Sequence, residues 1–263
     1  MLSLPIAFGE SLFAAEPDAQ WRLPKRLREI SGLALTPDGR VMGHEDETAV
    51  IFEIDIQGGV VVKRFALGEP VVRGDFEGIA IDGAGVFYLT TSKGRLHRFR
   101  EGDDGAVVAF ETFDTGLREV GEIEGLAFHL GDDAVILACK TNYTPALRGA
   151  VALYAWSSRT PQEPARPWLT IPVALLADAV GARSFHPSSV EIDPRTGRLV
   201  LLAGRENALV ELDAHGLLLA ARGLGKGHRQ AEGATILANG ALVIADEGGD
   251  ARALMTRYPR RDD

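Results

Sequence analysis

Three glutamates each stand ahead of a short apolar run: Glu77 in "GDFEGIAIDG", Glu124 in "GEIEGLAFHL" and Glu232 in "RQAEGATILAN". A glycine follows each of them. Three carboxylates brought together with hydroxyls and water offer hard oxygen donors, which suit Ca²⁺ better than zinc or copper. They are also a liability. Two carboxylates about 5 Å apart at an effective dielectric near 20 repel by roughly 3 kcal/mol. Three such pairs approach ~10 kcal/mol, comparable to the stability of a whole domain. The repulsion must be relieved by protonation, by a basic partner or by a cation. Lys93, Lys140 and Arg205 are the basic candidates, so a salt-bridge network without metal competes with the calcium reading.

Other residues extend this set. Ser31 and Ser188 occupy the positions equivalent to the three glutamates in two weaker copies of the motif, "EISGLALTPDGRV" and "HPSSVEIDPRTGRLV". Glu191 falls where the other copies carry Ala or Thr, and reads either as a ligand or as the partner of an Arg or Lys from a neighbouring unit. Glu206 and Asp246 close second strands and read as outer partners of the site, with "HED" at 44–46 a weaker parallel. The six histidines show no HxH or HExxH spacing, and solvated positions in turns are expected for most of them. His186 and His228 precede inner strands and could reach the same site. The single cysteine, Cys139, lies in the apolar run "AVILAC" and reads as a small buried hydrophobe. No serine has a GxSxG context, and no phosphate-cradling loop is present.

The elements that must position these residues follow from the repeat. The motif positions are 31, 77, 124, 188 and 232, so successive units lie 46, 47, 64 and 44 residues apart. Such a period fits a four-stranded propeller blade. The second unit reads as "GIAI", "VFYLTT", "RLHRF" and "AVVAFETF", separated by Gly/Asp turns. The fifth unit holds only three strands, and the segment around Gln20–Leu23 supplies the missing outer one. This predicts an all-β, five-bladed propeller of four-stranded antiparallel blades over 1–263, its last blade closed by an N-terminal strand. Closure of this kind protects sheet edges. Residues 1–18 form an extension and 141–186 an enlarged third-blade insert. Its helical segment 173–182 is expected to cap an end of the barrel. A sixth, degenerate blade in 1–18 or 141–170 is the alternative.

Composition bounds the function. A net charge of −9 on 263 residues argues against nucleic acid as a partner. No apolar run is long enough to span a membrane. The N-terminal stretch lacks a basic leader, and Glu10 interrupts its apolar run, which argues for a cytoplasmic protein, with export as the alternative. A monomer is expected.

The ordered set "EISGLAL", "DFEGIAI", "EIEGLAF", "HPSSVEI" and "RQAEGATI", with "LLAGRENALVELD" and "LVIADEGG", resembles the SdiA-regulated (YjiK-like) family, distantly similar to NHL-repeat propellers. The likeness covers about residues 20–258. It implies a five-bladed propeller with a calcium ion in a shared site, and no established reaction. This chain departs from the pattern at second-strand ends, where "TTSKG" and "ACKTN" replace acidic residues. Two functions follow. One is a calcium-binding module that recognises a small-molecule or protein ligand at the propeller mouth. The other is a metal-dependent hydrolase resembling lactonase and phosphoesterase propellers, with axial Ca²⁺ polarising an oxygen and Glu206 or His186 as base. Asn142 and Asn207 would be its further ligands.

Overall fold

The computed structural model describes residues 9–261. Blade 1 runs outward from the axis through Ile30–Leu35, Val41–Glu45, Val50–Asp55 and Val60–Leu67. Blade 2 comprises Phe76–Ile81, Val86–Thr91, Arg95–Arg100 and Phe110–Asp114, and blade 3 Gly121–His129, Ala134–Asn142, Ala150–Ser157 and Arg166–Pro172. Blade 4 holds Ser189–Ile192, Leu199–Ala203, Ala208–Leu212 and Leu218–Gly223. Blade 5 holds Ala231–Ile236, Leu242–Asp246 and Leu254–Tyr258, and its outer strand is Ala19–Arg22 from the other end of the chain. The five-bladed fold is as the repeat predicts, and a sixth blade does not form among the described residues.

The closing strand is held by more than its ladder. Arg257 clamps Asp18 through two nitrogens at 2.8 and 2.9 Å, and Gln20 reaches the Thr256 hydroxyl at 3.1 Å. Behind it, Leu23 and Leu27 are fully buried against Ala253 and Met255. Of the extension expected over 1–18, residues 1–8 lie outside the described part. The remainder bridges blades 4 and 5: Ser11 and the Leu12 amide both donate to the buried Glu211 carboxylate, which Arg198 also meets at 3.2 Å, while Phe13 pairs with Arg260 and the Ala14 amide donates to Pro259 at 2.8 Å.

Apolar clusters fill the wedges between adjacent blades. One joins Leu137 and Trp156 of blade 3 to Tyr88 and Leu96 of blade 2, and another joins Leu201 and Val210 of blade 4 to Val151 and Leu153 of blade 3. Two details differ from expectation. The run at 106–113 does not form one outer strand. Gly105, at φ 76, turns the chain so that Val107–Val108 pairs in parallel with blade 1, and only Phe110–Asp114 serves blade 2. The helix Val173–Val180 does not cap the barrel. Its buried Leu176, with Val173 and Val180, packs into the wedge between blades 3 and 4, because its apolar face matches that cluster, and Gly181 at φ 68 ends it.

Glycines after the motif residues mark where inner strands crowd. A Cβ at Gly125 would stand 2.6 Å from the Val190 amide nitrogen, and one at Gly78 would stand 2.6 Å from the Leu126 Cβ. Backbone atoms cannot yield as a side-chain tip can. We therefore expect Gly125→Ala to cost about 1–3 kcal/mol, lowering the melting temperature by roughly 3–10 °C. Gly58→Ala, where the nearest atom would be an Asp55 carboxylate oxygen at 3.4 Å, should be nearly neutral. Thermal denaturation of both variants checks this.

Candidate functional site: a carboxylate mouth on the propeller axis

The geometry of the motif rests on β-bulges. In blade 1 Ile30 pairs with Glu45 and Gly32 with His44, leaving Ser31 as the extra residue. In blade 2 Phe76 and Ile79 pair with Thr91 and Leu89, so Glu77 and Gly78 share one partner. In blades 3 and 5 the extra residues are Glu124 and Glu232. A bulge re-aims its side chain, and here it turns the motif residue toward the axis. Blade 4 pairs without interruption from Ser189 to Ile192. Ser188 lies just ahead of that strand, its amide donating to the Leu202 carbonyl at 2.9 Å. Its hydroxyl donates to the Ala231 carbonyl at 2.6 Å and accepts from the Gly204 amide at 3.1 Å, tying blade 4 to blade 5.

The three glutamates feel one another. Burial, then the charges of Glu124 and Asp75, pushes the Glu77 carboxyl up to about 9. Burial pushes Glu124 up to about 7 against the pull of Lys140, and burial with the Glu124 charge pushes Glu232 to about 7. Ser31 donates to Glu77 at 3.4 Å. Lys140 is itself the extra residue of a bulge in its own strand, between Cys139 and Thr141, and its ammonium meets Glu124 at 2.5 Å. Burial opposes the Lys140 charge, but the contact with Glu124 outweighs it and holds the pKa above the usual lysine value.

Arg205 is exposed and acts on Glu124 only through space, while Lys93 is exposed and forms no ion pair among the described residues. The acidic field extends beyond the motif. Burial, then Glu29 and Glu45, raises the half-buried Asp46, whose Oδ1 has no hydrogen-bond partner, and burial followed by the Asp46 charge raises Glu247. Sequence reasoning missed Glu247, Asp75 and Glu122. The last two stand two residues before a motif glutamate, in "DFEG" and "EIEG", which was the available signal.

Glu206 and Asp246 do act as partners of histidines. Glu206 accepts from the His186 backbone amide at 3.1 Å and lies 2.7 Å from its Nδ1, leaving Nε2 3.4 Å from the Ser184 hydroxyl. Asp246 lies 2.7 Å from Nδ1 of His228 and accepts from the Arg229 amide at 3.1 Å. His228 is buried, its Nε2 held 2.6 Å from the Tyr258 hydroxyl, so it does not open on the mouth.

His44 and His97 are also buried, and desolvation lowers both to about 4. Three of the six histidines are thus interior rather than solvated in turns. Asn142 and Asn207 donate to the carbonyls of Ala150 and Gly225 at 2.6 and 2.8 Å, and Asn207 takes φ 50 in a turn. The Oδ1 of each is buried without a hydrogen-bond partner among the described residues. Cys139 is buried, and desolvation followed by the Glu122 charge pushes its thiol up to about 12. Glu191 lies three residues beyond the bulge level, at the far end of the channel, and no Lys or Arg partners it among the described residues.

The donors of this mouth are all oxygen, the chemistry that suits a hard cation. Its geometry sets a condition, since Lys140 already holds Glu124 and no three His, Cys, Asp or Glu side chains among the described residues are grouped to hold an ion. An ion would have to displace the ammonium and draw the carboxylates together.

A carboxyl whose folded pKa lies above its ordinary 4.5 binds its proton more tightly when folded. Its stabilisation is complete below 4.5 and is lost as pH rises through the folded value. In cation-free buffer the melting temperature should therefore fall between about pH 5 and 9. Glu77→Gln, which is neutral throughout, should flatten that fall and exceed the wild type in stability at pH 8.5. A wild type that gains stability over this range would contradict the assignment.

No family model matches the sequence, and no curated protein sequence matches it. Solved structures do match in fold. The glutaminyl cyclase of Myxococcus xanthus superposes with a TM-score of 0.59 at 13% identity, over 94% of this chain and 97% of that one. A luciferin-regenerating enzyme gives 0.56 at 9% identity, over 93% and 95%. The PQQ-bound aldose sugar dehydrogenase of Streptomyces coelicolor gives 0.55 at 14% identity, over 94% and 99%. At these identities the likeness is one of fold, and the chain is a β-propeller similar in architecture to several enzymes.

Proposed function

We propose that the protein is a ligand-binding propeller whose carboxylate mouth takes a cation, with Ca²⁺ the ion its all-oxygen donors suit. The observation that carries this reading is the set of three bulge glutamates on three blades, with raised pKa values and one direct cationic partner. The motif resemblance to the SdiA-regulated family supports the same ion. Glu77, Glu124 and Glu232 would hold it, with Ser31 beside them, and Lys140 would swing out. The ion would supply the positive charge that protonation supplies at low pH. A ligand with an anionic or carbonyl oxygen would then meet the ion at the mouth.

A ligand bound only to the native state stabilises by mass action, about 2.7 kcal/mol at a hundred times Kd. Calcium should therefore raise the melting temperature by several degrees at pH 8.5 and by less at pH 6, where protons compete. Lys140→Gln should lower stability in chelator and enlarge the calcium response. Glu124→Gln should abolish it. Melting curves in Ca²⁺, Mg²⁺ and EDTA decide the matter. Indifference of the wild type to all three at pH 8.5 leaves the lysine network as the complete answer.

A catalytic reading of the same mouth is favoured by one observation, the His186 imidazole oriented by Glu206 with its Nε2 turned to the Ser184 hydroxyl. That is the arrangement of a general base. It predicts hydrolysis of a lactone or phosphoester that His186→Ala abolishes while calcium still stabilises the variant. A pure binding module shows no turnover above background with either substrate class. Fold likeness to enzymes does not choose between the two.

A further inference from the structure

The opposite mouth of the channel holds a cavity of about 500 Å³, formed where the inner strands end. That volume lies within the range of small-molecule sites. Its walls are set by the position three residues beyond each motif residue: Ala34, Ala80, Ala127, Glu191 and Thr235. Three blades keep this level small and apolar, and Ile81, Ile192 and Ile236 continue the apolar lining toward the rim. Blade 4 alone puts a carboxyl there.

Nothing in the fold accounts for Glu191. Protein encloses it, and what surface it exposes faces the cavity. Burial raises its pKa well above the usual carboxylate range, only partly offset by the Ile192 backbone and the Thr235 hydroxyl. No ion pair reaches it among the described residues. An interior carboxyl without a charged partner is costly, and an alanine would satisfy the packing as it does in three other blades.

The remaining acids of the lining are already engaged. Asp193 meets Arg260 at 3.0 Å, and Asp82 accepts from the amides of Ala84 and Val86 at 2.8 and 2.9 Å. His129 lies 3.3 Å from Asp132. No Lys or Arg lines the cavity. An anionic ligand would find no Lys or Arg, whereas an ammonium would find the Glu191 carboxyl in a largely apolar chamber.

We propose that this cavity is a second binding site, for a small apolar molecule carrying one amine, with Glu191 as its counter-ion. The ammonium favours the ionised form of the carboxyl, which accepts a hydrogen bond from the ligand nitrogen. The site is independent of the carboxylate mouth and of whatever ion binds there.

The test is calorimetric titration of the full chain at pH 7 with three probes of one shape: phenethylamine, 2-phenylethanol and 3-phenylpropanoate. Phenethylamine should bind at least tenfold more tightly than the other two. Its binding should be accompanied by net proton release, read by comparing buffers of different ionisation enthalpy. Glu191→Gln, a neutral isostere, should weaken the amine at least tenfold. Ala80→Leu, which fills the chamber without touching the carboxyl, should do the same. Glu77→Gln, at the other mouth, should leave the affinity unchanged. Equal amine affinity in wild type and Glu191→Gln, a preference for the anion, no amine binding at millimolar concentration, or loss in Glu77→Gln each overturns the proposal.

Discussion

The close approach of the inner strands around the axis is the constraint from which most of this molecule follows. At Gly78, Gly125 and Gly233 the next blade leaves no room for a Cβ: the nearest atoms would stand at 2.6, 2.6 and 3.0 Å. Two of these contacts are with backbone, which cannot rotate away. A glycine is therefore required just inside the ring. The bulge immediately before it lets the strand change face at the point of tightest contact, and the bulged residue is thrown toward the axis. Structural necessity and the placing of chemistry are here the same event.

That arrangement creates an electrostatic debt. Carboxyls delivered from three blades, with Asp46 and Glu247 at the edge, are held above their usual pKa by burial and by one another. Lys140 offsets part of it. Its position comes from a second bulge, opposite the first, which aims ammonium and carboxylate at each other across one hairpin. A mouth stabilised partly by protons and partly by one ammonium is sensitive to pH, and the cation proposed for it would act on the same residues.

Blade 4 departs from the rule, and the departures are connected. Ser188, one residue ahead of the inner strand, commits its hydroxyl to the Ala231 carbonyl of the neighbouring blade. Its His186 and Glu206 pair carries the imidazole that faces outward, while the matching pair in blade 5, His228 and Asp246, is sealed by Tyr258 and by Arg222 stacked 4.9 Å from the tyrosine ring. The same blade contributes Glu191 to the far chamber. Blade 4 therefore supplies polar groups at both ends of the channel.

The sequence by itself determined the number of blades, the order of strands within them and the exchange of an outer strand between the chain's two ends. Those depend on turn residues and on a repeated period, which are local signals legible in "PDG", "DGAG" and "EGLAF". It also pointed to the set Glu77, Glu124 and Glu232, because equivalent positions in a ring face a common axis. Only the tertiary structure decided which motif residues reach that axis. Ser31 and Ser188 look alike in sequence, yet the first donates to Glu77 and the second to the Ala231 backbone carbonyl. Only the packed blades could show that Lys140 rather than Lys93 or Arg205 meets the carboxylates, that His44, His97 and His228 are interior, and that Glu191 belongs to the other end of the channel. Register, bulges and burial arise from contacts between segments far apart in the chain, and no local pattern carries them.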